Sequence, residues 1–293
     1  LYLDHYQGDY KIEPVTIPSA PAYLSRTYNY EPVPDTIKSL GLEKHILGVQ
    51  CNNWSEYMYT NAKMEYQMYP RSLALAEIAW SPAKKKNFTD FARRVDANSV
   101  RLDERHVRYH IPLPEQPYGS CDKVVITKDT VVTFQTSRPM KMVYTLNGSI
   151  PTPSSAVYTE PIKVSGNTTI KIATVLPSGK MSKVRTIDVE KQTYAPAVKL
   201  NDAKAGLQLR RMKGNYLKVN QLELADAEWQ DCGTVENLNK MKVSQPDDAA
   251  TLRGANNYAA IAEGYINIPE DGVYYLSSRM EQVWIDNKLV INN

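Results

Sequence analysis

The sequence predicts a multidomain chain: an α/β segment followed by two all-β segments. Three observations carry this. Over residues 1–117, short apolar runs alternate with stretches whose apolar residues recur every three to four positions, as in strands and amphipathic helices. Over residues 118–192 the period falls to two and helical spacing disappears. Residues 193–293, set off by Tyr194-Ala195-Pro196, are again rich in strand patterns. A length of 293 residues suits two or three domains.

The elements follow in order. Residues 2–5 read as a strand end, followed by a loop rich in Pro and Tyr that runs through Tyr28-Asn29-Tyr30-Glu31-Pro32-Val33-Pro34. Asp35 is a fair N-cap for a short helix over 36–40, and Gly41 stops it. The run I-L-G-V-Q at 46–50 has the character of a buried parallel strand. A helix is expected over 61–80, with Met64, Met68, Leu75 and Ile78 on its apolar face, a kink at Pro70 and an end at Ser81-Pro82. Lys84-Lys85-Lys86 reads as a solvated loop. A second amphipathic helix spans 88–106, with Phe88, Phe91, Val95 and Leu102 on one side. Pro112, Pro114 and Pro117 mark a linker.

Strands are expected at 124–126, 131–135, 142–146, 168–174 and 182–189, with turn signals at Asn147-Gly148 and Ser178-Gly179. Strands at this spacing without helices suggest an immunoglobulin-like β-sandwich. Further strands are expected at 260–268, 273–276 and 283–285, the first two separated by the turn Pro269-Glu270-Asp271-Gly272.

Bulk properties exclude several functions. A net charge of +3 gives no basic field for nucleic acid. There is no run of 18 apolar residues, so no membrane-spanning helix is expected. Cys51, Cys121 and Cys232 are far apart and signal neither a zinc site nor a disulfide framework. His5, His45, His106 and His110 show no ligand spacing and read as surface or packing residues. No cofactor or metal is expected. The chain opens within a strand pattern and not with Met, so it reads as a piece of a longer protein.

Two short stretches carry chemistry. Tyr2 and Asp4 are two residues apart in L-Y-L-D-H, and Trp54 and Glu56 are two apart in N-W-S-E-Y. In extended chain, residues i and i+2 face one side. Each pair therefore offers an aromatic surface and a carboxylate together, a combination suited to a sugar ring and its hydroxyls. A strand, loop, helix, strand, helix order implies parallel strands, whose ligands sit beyond the carboxyl ends. Both pairs lie there, and adjacent strands would bring them to one pocket.

Y-L-D at residues 2–4, W-S-E at 54–56 and Y-Q-M-Y-P-R-S-L-A-L-A-E-I-A-W-S-P at 66–82 together resemble the last two barrel strands and the final barrel helix of family 20 glycoside hydrolases, the β-N-acetylhexosaminidases. The resemblance covers residues 1–115. It implies the carboxy-terminal portion of a (β/α)₈ barrel of roughly 250 residues, of which this chain holds only two βα units. It also implies roles: Tyr2, the catalytic-side residue, binds the substrate's acetamido carbonyl oxygen. Asp4 holds a hydroxyl at C4 or C6, Trp54 packs on the sugar face, and Glu56 binds the C4 and C6 hydroxyls. Family members use the substrate's own 2-acetamido group as nucleophile, with an Asp–Glu pair on an earlier strand. That pair is expected upstream; Asp103-Glu104 reads as a solvated helix face. The implied activity is exo-acting release of terminal GlcNAc or GalNAc from glycans, with the chain inactive by itself. The alternative is a non-catalytic glycan-binding or scaffold protein that keeps a barrel remnant.

Y-T-L-N-G-S-I-P-T at 144–152 and the strands over 168–189 resemble the small sandwich domain appended to chitobiases, giving a second domain over 118–192. G-L-Q-L-R-R-M-K-G-N-Y at 206–216, E-G-Y-I-N-I-P-E-D-G-V-Y-Y-L at 263–276 and V-W-I-D-N-K-L-V at 283–290 resemble a PA14-like β-barrel domain, incomplete, over 193–293. Asp247-Asp248 reads as solvated, not as a calcium site. The expected partner is an N-acetylhexosamine-terminated glycan. Export to the periplasm, cell surface or medium is implied by the resemblance alone.

Overall fold

The computed structural model describes residues 1–202, 204–216, 228–236, 256–278 and 280–292. The chain divides into two compact units, Leu1–Thr193 and Tyr194–Asn293. The α/β segment and the first β segment thus share one unit.

The first unit begins with an extended stub. Tyr2 forms a parallel bridge with Asn52. The Leu3 N–H donates to the Asn52 carbonyl at 2.7 Å, and the Asn52 N–H to the Leu1 carbonyl at 2.8 Å. The strand expected at 46–50 does not form, and Leu47 is 97% exposed. A parallel strand is buried only when neighbours and helices cover it. Here its described main-chain ties are the Leu1 ammonium donating to the Gln50 carbonyl at 2.9 Å and the Ile46 N–H donating back to the Glu43 carbonyl at 2.9 Å, neither of them part of a ladder.

Helix α1 is Leu24–Tyr28 and α2 is Asp35–Ser39, which starts one residue earlier than expected because Pro34, not Asp35, stands at the cap. Gly41, at φ +65°, follows α2 in the left-handed conformation that glycine adopts freely. The expected long helix is two: α3, Asn61–Met68, and α4, Arg71–Trp80, which break at Pro70, where a proline inside a helix lacks an N–H and crowds the preceding turn. The Thr60 side chain caps α3 by accepting from the Lys63 N–H at 3.1 Å. Helix α5, Phe88–Glu104, is capped by Asn87. Leu24, Tyr28, Ala74, Ile78, Phe91 and Val95 form the core between α1, α4 and α5. Lys86 is not simply solvated: its Nζ donates to the Tyr30 carbonyl at 2.9 Å.

The proline linker is also a correction, since residues 110–115 are all buried. They run as extended chain whose carbonyls are held by the sandwich. Thr174 Oγ1 donates to the Pro112 carbonyl at 2.6 Å and Arg185 Nη1 to the Pro114 carbonyl at 2.8 Å. Glu115 and Gln135 exchange main-chain hydrogen bonds at 2.8 and 2.9 Å. Asp103, expected on a solvated face, pairs with Lys180 and accepts from Tyr109 Oη at 2.9 Å.

The sandwich comprises β1 Lys123–Ile126, β2 Thr130–Val132, β3 Lys141–Thr145, β4 Ala156–Val157, β5 Ile162–Val164, β6 Thr168–Val175 and β7 Arg185–Lys191. One sheet has the order β1-β7-β6-β3-β4, with β1 parallel to β7; the other pairs β2 with β5. Along β7 buried and exposed positions alternate, the period-two pattern of a strand with one face on the core. Ile126, Val132, Phe134, Ile162, Ile170, Ile172 and Ile187 fill the space between. Gly148 and Gly179 take positive φ of 76° and 86° at the two predicted turns.

The second unit contains β8 Leu207–Tyr216, β9 Gln230–Val235 and β10 Asn256–Glu263 in the order β10-β8-β9, and a hairpin of β11 Gln282–Ile285 with β12 Lys288–Asn292. Strand β10 stops at Glu263, short of the expected 268, and residues 273–276 are exposed and form no strand. Asp247-Asp248 lies outside the described residues.

Candidate active site

The bridge between Tyr2 and Asn52 makes the two strand ends neighbours; Tyr2 is itself a bridge residue with Asp4 just past it, whereas Trp54 and Glu56 both lie past Asn52. The alternation expected within each pair ends there. Residues 3–5 bend, and Ser55–Tyr57 forms a 3₁₀ turn closed by the Met58 N–H on the Ser55 carbonyl at 3.0 Å. Tyr2 and Asp4 consequently differ in burial. Tyr2 is 53% exposed and stacks on His5, ring centroids 6.0 Å apart at 30°. Asp4 is 3% exposed, and its Oδ1 has no hydrogen-bond partner among the described residues. Trp54 is 52% exposed in extended conformation, and Glu56 is exposed on the turn beside it.

A buried carboxylate oxygen without a partner is costly. Asp4 therefore stands out as an acceptor that a ligand hydroxyl would satisfy. Its neighbourhood is positive. Arg71, fully buried on α4, lies within electrostatic reach of Asp4. Burial pushes the Arg71 guanidinium down to about 10, with the Glu13 and Asp4 carboxylates opposing. Burial likewise lowers His5, with Asp4 pulling the other way.

Arg71 is a residue that sequence reasoning did not single out. Its Nη2 donates to the Leu3 carbonyl and, at 2.8 Å, to the Gln67 carbonyl; its Nη1 donates to the Ala22 carbonyl at 3.2 Å. The available signal was an arginine on the apolar side of an otherwise apolar helix.

A second polar cluster lies behind the loop over residues 8–23. His110, expected as surface or packing, is buried, with Nε2 2.9 Å from Glu13 Oε1. Tyr66 Oη donates to Glu13 Oε2 at 2.5 Å. Burial pushes the Glu13 carboxyl up, but His110 and Tyr66 together outweigh it and hold the group below the usual glutamate range. Burial and the Glu13 charge raise Tyr66. Glu115 accepts from the Asp9 N–H at 2.9 Å and from Tyr23 Oη at 3.2 Å, yet burial holds its carboxyl above the usual range. Tyr23 is pushed up to about 12 by burial and by Glu115. Gly8 passes between the two acids: a Cβ there would lie 2.7 Å from Glu115 Oε1 and 2.8 Å from Glu13 Oε1.

Among the described residues no group of three or more His, Cys, Asp or Glu is placed to hold a metal, and the three cysteines are free. No helix of the described residues is long and apolar enough to cross a membrane. A groove of about 600 Å³ between α4 and α5, lined by Leu73, Trp80, Phe91, Arg94 and Arg101 among others, includes none of Tyr2, Asp4, Trp54 and Glu56.

Residues 1–83 match the profile of glycosyl hydrolase family 20, catalytic domain, and residues 124–186 match the chitobiase/β-hexosaminidase C-terminal domain. A β-hexosaminidase of Porphyromonas gingivalis is 45% identical over 300 aligned positions, covering all of this chain and 37% of that protein. A β-hexosaminidase of Vibrio furnissii is 39% identical over 75 residues, 26% of this chain and 12% of its own length. The chain thus spans little more than a third of the longer match. A crystal structure of a GH20 exo β-N-acetylglucosaminidase from Vibrio harveyi, in complex with N-acetylglucosamine, aligns with a TM-score of 0.35 at 32% identity, over 38% of this chain and 17% of that one.

Proposed function

We propose, from the match of residues 1–83 to the family 20 glycosyl hydrolase catalytic domain and of residues 124–186 to the chitobiase/β-hexosaminidase C-terminal domain, that this is the carboxy-terminal portion of an exo-acting β-N-acetylhexosaminidase. Its substrate is a glycan ending in GlcNAc or GalNAc. Hydrolysis proceeds with retention, the substrate's own 2-acetamido group serving as nucleophile. Tyr2 donates a hydrogen bond to the acetamido carbonyl oxygen and so holds that oxygen toward the anomeric carbon. Trp54 stacks on the apolar face of the ring. Asp4 and Glu56 accept hydrogen bonds from its hydroxyls.

The observation that carries this reading is the parallel bridge between Tyr2 and Asn52, which sets the strand ends bearing both pairs side by side. The orphan Oδ1 of Asp4 supports it further. The general acid belongs to an Asp–Glu pair supplied from upstream sequence, and the 293-residue chain alone is inactive. The tail, with its three-stranded sheet and hairpin, serves as a PA14-like accessory module, and the enzyme works outside the cytoplasm.

The test is hydrolysis of 4-nitrophenyl N-acetyl-β-D-glucosaminide by this chain and by the full-length protein. Activity in the full-length protein alone is expected. Activity in neither would favour a glycan-binding role, and activity in this chain alone would mean that the acid has been misplaced.

A further inference from the structure

At Leu3 and Asp4 the strand end that carries the site pair is held by three ties to the main chain, none of which comes from the strand itself. The Leu3 N–H reaches the Asn52 carbonyl at 2.7 Å. The Leu3 carbonyl accepts from Arg71 Nη2. The Asp4 carbonyl accepts from Thr16 Oγ1. The carbonyls on either side of the Asp4 Cα are thus fixed by two side chains from different elements, while the Tyr2–Leu3 peptide is held by the Asn52 carbonyl.

Arg71 is an unusual choice for this grip. Its residue exposure is 0%, and none of its hydrogen bonds goes to a carboxylate; they reach the main-chain carbonyls of Leu3, Ala22 and Gln67 and the Gln67 side chain at 3.3 Å. Its Nε has no partner among the described residues. Burying a guanidinium in this way is costly, and apolar replacements of buried charges are often neutral or stabilising. Stability alone therefore accounts poorly for an arginine here. The planar, fixed fork does what an apolar side chain cannot: it sets the distance between the strand end, the loop at Ala22 and the last turn of α3.

Resting on the hexosaminidase reading above, we propose that Arg71 is a positioning residue of the active site, which fixes the Leu3–Asp4 peptide so that Tyr2 and Asp4 meet the sugar in register. Misplacement of reacting groups by about 1 Å is enough to cost on the order of 100-fold in rate. Thr16 is the second clamp, on the far side of Asp4.

The test uses the full-length protein with Arg71→Lys, Tyr2→Phe and the pair, assayed on 4-nitrophenyl N-acetyl-β-D-glucosaminide, with thermal unfolding to count folded molecules. Arg71→Lys keeps the charge but not the fork. It is expected to lower kcat/KM per folded molecule by about tenfold or more. Tyr2→Phe is expected to cost about tenfold in the wild type and less than about threefold beside Arg71→Lys, since the two act through one contact. A lowered unfolding temperature with unchanged kcat/KM would make Arg71 merely structural and overturn the proposal, as would fully multiplicative effects. If Arg71→Lys does not unfold cooperatively, Thr16→Val decides: a loss of about three- to tenfold supports the clamp and an unchanged kcat/KM refutes it. A folded wild type without activity would instead sink the hexosaminidase reading, and this proposal with it.

Discussion

Replacing Asp96 by alanine tests how α5 is fastened to the sandwich. Asp96 is the only described hydrogen-bond acceptor for the Arg138 side chain, whose Nε and Nη2 donate to one of its oxygens at 3.2 and 2.9 Å. Both partners are mostly buried, with side-chain exposures of 3% for Arg138 and 12% for Asp96. Burial already pulls the guanidinium below its ordinary range, with Asp96 opposing, and Nη1 has no partner among the described residues. Asp96→Ala therefore leaves a buried charge with no counterion. Breaking such a pair from one side costs about 3–5 kcal/mol. That corresponds to a loss of roughly two to three and a half orders of magnitude in protection where local opening governs exchange. Hydrogen–deuterium exchange at residues 88–104 and 136–142 reads this directly. Combining Asp96→Ala with Arg138→Met removes the orphan charge and is expected to restore most of the loss. A change below about 0.5 kcal/mol in the single variant, the range of ordinary surface substitutions, would refute the claim that this pair fastens the helix.

Three further outcomes are expected. Glu56→Gln in the full-length protein lowers kcat/KM on aryl N-acetylglucosaminides by about tenfold or more, about 1.4 kcal/mol of transition-state binding; unchanged kinetics would remove Glu56 from the site. Ile170→Ala, at a position with 0% exposure in the sandwich core, lowers stability by about 2–5 kcal/mol, and a loss under about 1 kcal/mol in urea unfolding would mean that the core relaxes around the gap. Glu13 and Glu115 have opposite pH signatures. The Glu13 carboxyl lies below its ordinary value when folded, so its contribution is present above that ordinary value and is lost as pH falls through the folded one. Glu115 lies above its ordinary value, so its contribution is present at low pH and is lost as pH rises. Thermal unfolding from pH 3 to 8 should therefore show Glu13→Gln most harmful at neutral pH and Glu115→Gln least harmful there. Parallel pH slopes in the two variants would contradict both assignments.

Local chemistry made part of this legible in advance. Turns at Gly41, Gly148 and Gly179 were visible because positive φ selects glycine, and the alternating strand β7 because one face is dry. What failed depended on distant partners. The run at 46–50 is apolar enough for an interior strand, but strands need neighbours that local sequence does not report. Val273 to Leu276 failed likewise. Tyr2, Asp4, Trp54 and Glu56 were nominated from paired motifs that would converge if their strands were neighbours, and the bridge between Tyr2 and Asn52 makes the strand ends neighbours. Their unequal burial was not expected, because it follows from bends at 3–5 and a 3₁₀ turn at Ser55–Tyr57. Arg71, His110 and Asp103 were misjudged or passed over because a charged residue's value lies in its partners: carbonyls 49 and 68 residues away for Arg71, Glu13 for His110 and Lys180 for Asp103.

The buried proline stretch at 110–115 changes how the chain can be taken apart. By composition it invites a cut, since prolines and a shift from helix to strand often mark where modules were joined. Yet a protease would find its peptide bonds shielded and its carbonyls engaged by Thr174, Arg185 and Gln135. The exposed stretch at 193–202 offers far easier access. The β-sandwich is therefore inherited with the α/β segment: a recombination or truncation at the prolines would strip the sandwich of a strip of its own wall, whereas one near residue 194 would leave the first unit whole.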